Sequence, residues 1–385
     1  MILKYITLGI VLFYVFFIIY FKLRYPFWSK QPIFYYHDIK NLIYPKGIIE
    51  LSLPNISNKL IKTINYKNVT DITPDEKETL IKHLTEHYMP ESYEKYTPTN
   101  NDVMDHLLCR KMPSNISLYY DGLYGLLIGS MTSAYKQFHT KHNTLNVGYV
   151  DNLCVNKKHR GKNIAGQIIY NHYVRERYQE KTAVYMFKHE GISRPFVPLT
   201  IYDTYFYKLD LFEPIVVTQT YLTSILIGKT TTHLLYDLQR QLTKSIHTND
   251  RPFTCVIMDD FEHLTYLIEK KHIYVYALIE EKEPVAFYFF KNIYTTYDGD
   301  KSIECFACIK YKTSLENDKF LLGFYLAIDY LKTIDKYKIL LLENISETHH
   351  LIKQIKHRPF HRSKYYYYMY NYAMRPVSAK NIVII

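Results

Sequence analysis

The chain has 385 residues, of which 48% are hydrophobic and 22% charged, so it is long enough for two units of ordinary domain size around a large core. No long segment is polar enough for a disordered protein, and five irregularly spaced cysteines exclude a disulfide framework and fit a reducing compartment. The formal net charge of +11 suits a phosphorylated ligand or an anionic lipid. Because the basic residues are mostly scattered, we expect no nucleic-acid partner.

Residues 5–21 form an uncharged run that follows Lys4 and precedes Lys22 and Arg24. With the residues before it, this run is just long enough for a membrane-spanning helix, which needs about 20 apolar residues. A cleaved signal peptide is the alternative, but no small-residue cleavage site follows the run. The positive charges after it predict a single-pass anchor over residues 1–24, with the body of the protein facing the cytosol.

The first half of the body contains a predicted helix, three predicted strands and a second helix. Thr73, Pro74 and Glu76 have the spacing of a helix N-cap, a first-turn proline and a capping glutamate. Asp121 and Gly122 are typical of a hairpin turn. The predicted elements are a helix over 71–88, two strands within 117–134, a strand over 144–155 and a helix over 163–178.

The second half repeats this order of elements, as a hairpin over 273–280 and 284–294, a strand over 303–311, a helix over 318–331 and a strand over 338–343. The repeat predicts an α+β fold of two pseudo-symmetric halves, each a mixed sheet flanked by helices, over residues 25–215 and 216–385. Cys305 and Cys308 fall in one predicted strand, where alternation would place their side chains on opposite faces, so we expect no metal site there.

Between strand and helix, the first half has a basic turn in which Gly161 lies between Arg160 and Lys162. Glycine lets the backbone approach a phosphate, and a helix N-terminus attracts its charge. The second half has Glu316 and Asp318 at the corresponding place, and these would repel an anion. We therefore expect one phosphate site, although a solvated basic turn is the alternative interpretation.

The surroundings of this turn resemble the protein N-myristoyltransferase family, within the GNAT acyltransferases. Over residues 151–165, DNLCVNKKHRGKNIA resembles the family's Phe-Leu-Cys-Val segment and its basic loop, with matches at Leu153, Cys154, Val155, Lys157, Lys158, Arg160, Lys162 and Ala165. Residues 25–32, YPFWSKQP, are similar to its Phe-Trp-x-x-Gln-Pro segment, and residues 366–372, YYYMYNY, to its Tyr-Tyr-x-Tyr-Asn-Trp segment. The three segments occur in family order, and the resemblance covers about residues 25–385.

The resemblance implies transfer of a long-chain acyl group from acyl-CoA to the N-terminal glycine amine of a protein. Myristoyl-CoA would be a co-substrate, with no permanently bound cofactor and no metal. The N–H groups of Asn152 and Leu153 would polarise the thioester, and the terminal carboxylate of Ile385 would be the base. The acyl-CoA-binding residues implied are Pro26, Phe27, Trp28, Asn152, Leu153, Cys154, Val155, Arg160, Gly161, Lys162, Asn163, Ile164 and Ala165.

Three of these residues have a competing interpretation. Trp28 lies close enough to the apolar run to be a membrane-interface anchor. Cys154 has the chemistry of a nucleophile, but an apolar strand would raise the pKa of its thiol, and direct transfer needs no acyl-enzyme. Ile385 ends an apolar run, 382–385, which predicts a buried last strand with or without a catalytic role.

The sequence also departs from the family pattern. Asn152 replaces a phenylalanine, and Met186, Phe187 and Lys188 replace a Thr-Ala-Gly segment near the amine. These departures leave two alternative functions open. One is an acyl-CoA-binding membrane protein without turnover, and the other is a GNAT-type transferase with a different acyl donor or amine acceptor.

Overall fold

The computed structural model describes residues 2–54, 60–89, 93–123, 125–180, 182–213, 222–248, 250–334 and 336–385. The helices in these ranges are α1 (Ile2–Arg24), α2 (Ile39–Ile43), α3 (Pro74–His87), α4 (Asn100–Met104), α5 (Ile164–Gln179), α6 (Thr232–Thr248), α7 (Phe261–Glu269), α8 (Asn317–Ile334) and α9 (Thr348–Gln354).

The strands of the described ranges belong to one 15-stranded sheet and a separate two-stranded one. They are β1 (Gly47–Ile48), β2 (Ile64–Asn68), β3 (Glu94–Tyr96), β4 (Asn115–Tyr120), β5 (Leu127–Thr140), β6 (Thr144–Val155), β7 (Tyr185–Glu190), β8 (Thr200–Lys208), β9 (Leu222–Leu226), β10 (Cys255–Met258), β11 (Ile273–Glu280), β12 (Glu283–Tyr297), β13 (Asp300–Lys310), β14 (Tyr337–Glu343), β15 (His361–Tyr370), β16 (Tyr372–Ala373) and β17 (Ile382–Ile384).

The two halves have the same strand pattern, which confirms the predicted α+β fold. In each half, antiparallel strands lead into a parallel pair, β6 with β7 in the first half and β13 with β14 in the second, and the second half has a further parallel pair, β10 with β17. The halves also exchange strands, because β15 of the second half lies between β7 and β8 of the first, and β8 pairs with β14. The predicted boundary at 215/216 lies outside the described residues.

Local sequence signals explain the elements that border the site. Thr73 caps α3 by accepting the Glu76 N–H at 3.3 Å, while the Glu76 carboxylate accepts the Thr73 N–H at 2.9 Å. Strand β6 begins at Thr144 and ends at Val155, as predicted. In α8, Phe320, Phe324 and four further residues at helical spacing are buried, as that spacing predicts.

Helix α1 is apolar and largely exposed, and over Lys4–Arg24 it is long enough to cross a membrane. It is the single helix of this kind in the described part of the chain. Its last turns contact the body, since the buried ring of Phe21 packs 5.3 Å from the ring of Tyr35. The Tyr14 hydroxyl donates a hydrogen bond to the carbonyl of His37 at 2.9 Å. The direction in which α1 would cross a membrane stays a prediction.

The expectation that Cys305 and Cys308 point to opposite faces is wrong. The pairing of β12 with β13 changes register here, since Phe289 pairs with Ala307 but Phe290 pairs with Cys305. This bulge turns both thiols to the same side, and their sulfur atoms lie 3.4 Å apart in the core.

Candidate active site

The sheet opens between β6 and β7. These parallel strands share three residue pairs, of which the last is Val150 with Phe187. Beyond that pair β6 continues beside β5, while β7 continues beside β15. The two strands therefore separate near Asp151 and Lys188, and a space is left between them.

A cavity of about 300 Å³ occupies this opening. Its walls combine aromatic rings, aliphatic side chains and polar groups. The aromatic residues are Trp28, Tyr88, Tyr173, Tyr185, Phe187 and Tyr370, and the aliphatic ones are Met131, Val150, Leu153 and Ile169. The polar ones are Asp151, Asn152, His172, Lys188, His189 and Arg194. Such a lining suits an apolar chain that ends at a polar reacting group.

Strand β6 carries a bulge at the mouth of the opening. Asn152 has a positive φ of 52°, and the register with β5 shifts opposite it, between Ser130 and Thr132. Two hydroxyl groups hold the bulge, since Ser130 donates to the Asn152 carbonyl and Thr132 to the Asp151 carbonyl, each at 3.1 Å. The Asn152 side-chain amide in turn donates to the Thr132 hydroxyl at 3.1 Å.

The two residues predicted to donate backbone N–H groups differ in their surroundings. Leu153 lines the cavity with 37% of its surface exposed. The N–H of Asn152 already donates to the carboxylate of Asp151 at 2.7 Å. A substrate oxygen would therefore compete with Asp151 for the N–H of Asn152.

Cys154 and Val155 lie beyond the bulge, on opposite faces of β6. The Cys154 sulfur faces α3, 4.0 Å from the carbonyl oxygen of His83, and burial raises the pKa of its thiol to about 12. Val155 packs with Ile164 and Ile168, which joins the end of β6 to the start of α5. The prediction that the strand would raise the pKa of the Cys154 thiol is thus confirmed.

The basic turn between β6 and α5 is open to solvent. Gly161 has φ +81°, nothing lies within 4 Å of the place a Cβ would occupy there, and Gly161, Lys162 and Asn163 are all exposed. Helix α5 begins at Ile164, after Asn163 at φ 60°, and the Asn163 side chain makes no capping hydrogen bond. The half-buried Ala165 follows in the first turn. This end of α5 therefore has the exposure that a phosphate site needs.

Arg160 connects this turn to the end of α3 by hydrogen bonds. Its guanidinium donates to the Val155 carbonyl at 3.2 Å and to the His87 carbonyl at the end of α3 at 2.5 Å. A cation at the C-terminal end of a helix is favourable because the carbonyl groups there carry partial negative charge. The exposed cations beside the turn are the neighbours Lys157, Lys158 and Lys162.

The segment after α1 closes the other side of the site. The Trp28 ring lines the cavity and stacks on Phe187, with ring centres 6.2 Å apart. The Phe27 ring lies only 2.8 Å from where a Cβ of Gly166 would be, so it rests on the first turn of α5. Pro26 is exposed just before them. Trp28 and Phe27 thus join the turn and the cavity.

Ile385 is buried at the end of β17, which runs parallel to β10. Its carbonyl oxygen accepts the Asp259 N–H at 2.9 Å and lies 3.4 Å from the Lys136 ammonium. The Lys136 ammonium also lies 5.7 Å from the ring centre of Tyr149, one residue before the cavity wall. The buried last strand is confirmed, but Ile385 does not line the cavity in the described chain, and its role as a base stays a prediction.

Three charged residues of the cavity wall were not identified from the sequence as site residues, namely Asp151, Lys188 and Arg194. Asp151 is exposed to the cavity beside the bulge. Lys188 donates to Glu304 at 2.7 Å and also to Glu343. Burial acts to lower the pKa of Lys188, but these two carboxylates raise it well above the usual value. Burial and the neighbouring Glu304 raise the pKa of Glu343 to about 8.

His172 was not identified from the sequence either, and it is a buried polar residue of the cavity wall. Its ring nitrogens lie 2.8 Å from the Ser117 hydroxyl and 2.9 Å from the Ser133 hydroxyl. The fully buried Glu176 lies 3.2 Å from the same ring and accepts a hydrogen bond from Tyr135. No local motif marks these residues, since α5, β4 and β5 bring them together only in the folded chain.

No model of a known protein family and no curated protein matches the sequence. Solved structures do match the fold. N-myristoyltransferase of Saccharomyces cerevisiae with bound myristoyl-CoA aligns with a TM-score of 0.74 over 94% of this chain and 99% of that chain, at 13% sequence identity. A structure of the same yeast enzyme with myristoyl-CoA and inhibitors gives a TM-score of 0.73 over 94% and 96%, also at 13% identity. The chain therefore has the N-myristoyltransferase fold.

Proposed function

We propose that this protein is an acyltransferase that moves a long-chain acyl group from acyl-CoA to the N-terminal glycine amine of a protein. The observation that carries the proposal is the cavity between β6 and β7, which has the bulge of Asn152 at its mouth and an open basic turn beside it. The fold match and the three sequence segments that resemble N-myristoyltransferase support the same activity.

The donor would bind along the turn and into the cavity. The first N–H groups of α5 and the exposed Lys162 suit a diphosphate, since helix N-termini and ammonium groups both attract anions. The rings of Trp28 and Phe187 suit the apolar part of the acyl chain. The thioester would then lie near Leu153, where the two strands separate.

The reaction joins the amine nitrogen to the thioester carbonyl carbon and breaks the bond from that carbon to sulfur. The carbonyl oxygen becomes an oxyanion, for which the N–H of Leu153 is a predicted donor. The amine must lose a proton to a carboxylate, and the released thiolate takes one up. Ile385 is the base that the family resemblance predicts, whereas Asp151 is the carboxylate exposed to the cavity.

Incubation of the purified chain with labelled myristoyl-CoA and a glycine-starting peptide tests this function directly. We expect label on the peptide, and none on the same peptide with a blocked amine. Lys162→Glu should raise the KM for myristoyl-CoA, because it reverses an exposed charge beside the phosphate site. Lys141→Glu, at an exposed turn outside the site, is the matched control and should leave the KM unchanged.

One observation favours a second function, acyl-CoA binding without turnover. Asp151 already holds the N–H of Asn152, so an oxyanion would have to compete for one of its two predicted donors. Calorimetry with CoA thioesters of graded chain length would show binding in either case. Binding without transfer to any glycine-starting peptide would support this second function over the first.

A further inference from the structure

A second apolar surface lies beside α1 and is formed by α2. Ile39, Leu42 and Ile43 are 56%, 42% and 52% exposed, and Tyr44 just after them is 78% exposed. Positions i, i+3 and i+4 of a helix share one face, so the three aliphatic side chains form a continuous surface. Contiguous exposed apolar groups mark interaction sites more often than single ones do.

The chain holds this surface in a fixed position. Asp38 accepts the backbone N–H of Asn41 at 3.1 Å and its side-chain amide at 2.6 Å, which caps α2. Arg375, from near the end of the chain, donates to the carbonyl of Ile43 at 3.1 Å. Strand β1 follows at Gly47–Ile48 and pairs with β16. These contacts therefore fix the apolar face of α2 on the body of the protein.

The position of α2 along α1 agrees with the depth of an interfacial helix. His37, two residues before α2, has its ring 6.0 Å from that of Phe17 and 5.2 Å from that of Phe21. At 1.5 Å per residue, these two phenylalanines lie about 10 and 5 Å along the helix from its end at Arg24. Interfacial helices bury their apolar face about 5–10 Å into the headgroup boundary.

The charges around α2 favour an anionic lipid surface. Residues 22–46 contain one acidic residue, Asp38, whose carboxylate is used as the cap of α2. The basic residues of the same segment are Lys22, Arg24, Lys30, Lys40 and Lys46. Clusters of basic residues beside a membrane helix are attracted to anionic headgroups.

We propose that the α2 surface, formed by Ile39, Leu42, Ile43 and Tyr44, docks into the headgroup region of the bilayer that α1 crosses. The proposal rests on α1 being a span and does not depend on acyl transfer. Docking at a second point would fix the tilt and rotation of the body. The Tyr35 hydroxyl donates to the Trp28 carbonyl at 2.7 Å, so the wall of the cavity would stay close to the lipid surface.

A spin label at position 43 of the full chain, in nanodiscs that contain an anionic lipid, tests the proposal. The Cys109→Ser background removes the exposed cysteine, and the other four cysteines are buried. We expect the label at 43 to collide more with oxygen and less with a water-soluble nickel chelate than a label at Leu123, a turn residue that is 85% exposed. A label at Phe13 reports whether α1 itself is in lipid.

Four results would overturn the proposal. If the label at 43 collides with oxygen and the nickel chelate as often as the label at Leu123 does, while the label at 13 is in lipid, the surface does not dock. If the label at 13 is also in water, the premise fails, and dipolar coupling between labels at 43 would mean that a second copy covers the surface. In a variant with Ile39→Ser, Leu42→Ser and Ile43→Ser, a label at 44 should move into water while that at 13 does not. If it stays in lipid, the apolar face is not what docks.

Discussion

The side-chain amide of Asn152 donates a hydrogen bond to the hydroxyl of Thr132 on the neighbouring strand, at 3.1 Å. The same hydroxyl donates to the carbonyl of Asp151, so one threonine holds both residues of the bulge. The N–H of Leu153, a predicted donor to an oxyanion, belongs to the peptide that follows Asn152. Thr132 is therefore placed to control the position of that donor without reaching the substrate.

Thr132→Val should lower the free energy of unfolding by about 1–3 kcal/mol, because two hydrogen bonds are lost and a buried amide is left without its acceptor. We also expect a fall in kcat with a smaller change in the KM for acyl-CoA. Urea unfolding and steady-state kinetics measure the two effects. Thr200→Val is the matched control, since the buried Thr200 hydroxyl has no hydrogen-bond partner in the described structure and its loss should be nearly neutral.

Gly166→Ala should weaken acyl-CoA binding. A methyl group at this position would meet the Phe27 ring at 2.8 Å and the Asn163 side chain at 2.5 Å, so the segment that closes over the turn must shift. Overpacking of this kind costs about 1–3 kcal/mol. Calorimetry with myristoyl-CoA measures the change in affinity. Gly228→Ala, where nothing lies within 4 Å, should leave the affinity unchanged.

Cys154→Ala should retain acyl transfer. With the pKa of this thiol near 12, almost none of it is thiolate at neutral pH, and its sulfur faces α3. Single-turnover kinetics should show no acyl-enzyme in the unmodified protein. Accumulation of a thioester on Cys154 would contradict the direct transfer proposed here.

Asp259→Asn should destabilise the protein at neutral pH by about 3–5 kcal/mol, because the buried cations of Lys136 and Arg110 lose their partner. Burial acts to raise the pKa of Asp259, but these cations outweigh it and hold the pKa far below the usual range. Asp300→Asn, in the exposed pair with Lys208, is the control and should change stability by less than about 1 kcal/mol.

The same carboxylate predicts how stability depends on pH. Because its folded pKa is depressed, Asp259 contributes its full stability above its unfolded pKa of about 4 and loses it as the pH falls toward the folded value. The difference between the unmodified protein and Asp259→Asn should therefore narrow below about pH 4. A difference that stays constant on acidification would show that Asp259 acts through packing alone.

Addition of one residue after Ile385 tests the predicted base. We expect turnover to fall about a hundredfold, which is within the usual range for loss of a general base, while acyl-CoA affinity changes little. The cation of Lys136 beside Ile385 would weaken its carboxylate as a base, so Asp151→Asn is the necessary comparison. If Asp151→Asn abolishes turnover and the extension does not, the base is Asp151.

Local signals account for the part of the fold that the sequence predicts well. The capping residues around Thr73 and the apolar run that forms β6 are short-range patterns, and both elements are found where they are predicted. The bulge that brings Cys305 and Cys308 together is not local, because it depends on the register of β13 against β12. The exchange of β8 and β15 likewise depends on pairing between distant segments, which no periodicity encodes.

The site residues likewise fall into two groups, those that a local segment of sequence identifies and those that only the folded sheet brings together. The turn around Gly161 and the segment of Trp28 are contiguous, and the sequence identifies both. Asp151 and Lys188 lie on strands that meet only in the folded sheet, and Lys188 stands where the family pattern has a different residue. They line the cavity because β6 and β7 separate beside them.

The position of β15 between β7 and β8 has a consequence for synthesis of the chain. The ribosome makes β15 more than a hundred residues after β8, so one edge of β7 and both edges of β8 lack their partners in the nascent first half until the second half emerges. A chaperone would have to shield these edges in the meantime. Fragments that stop short of His361 should aggregate, so the protein cannot be assembled one half at a time.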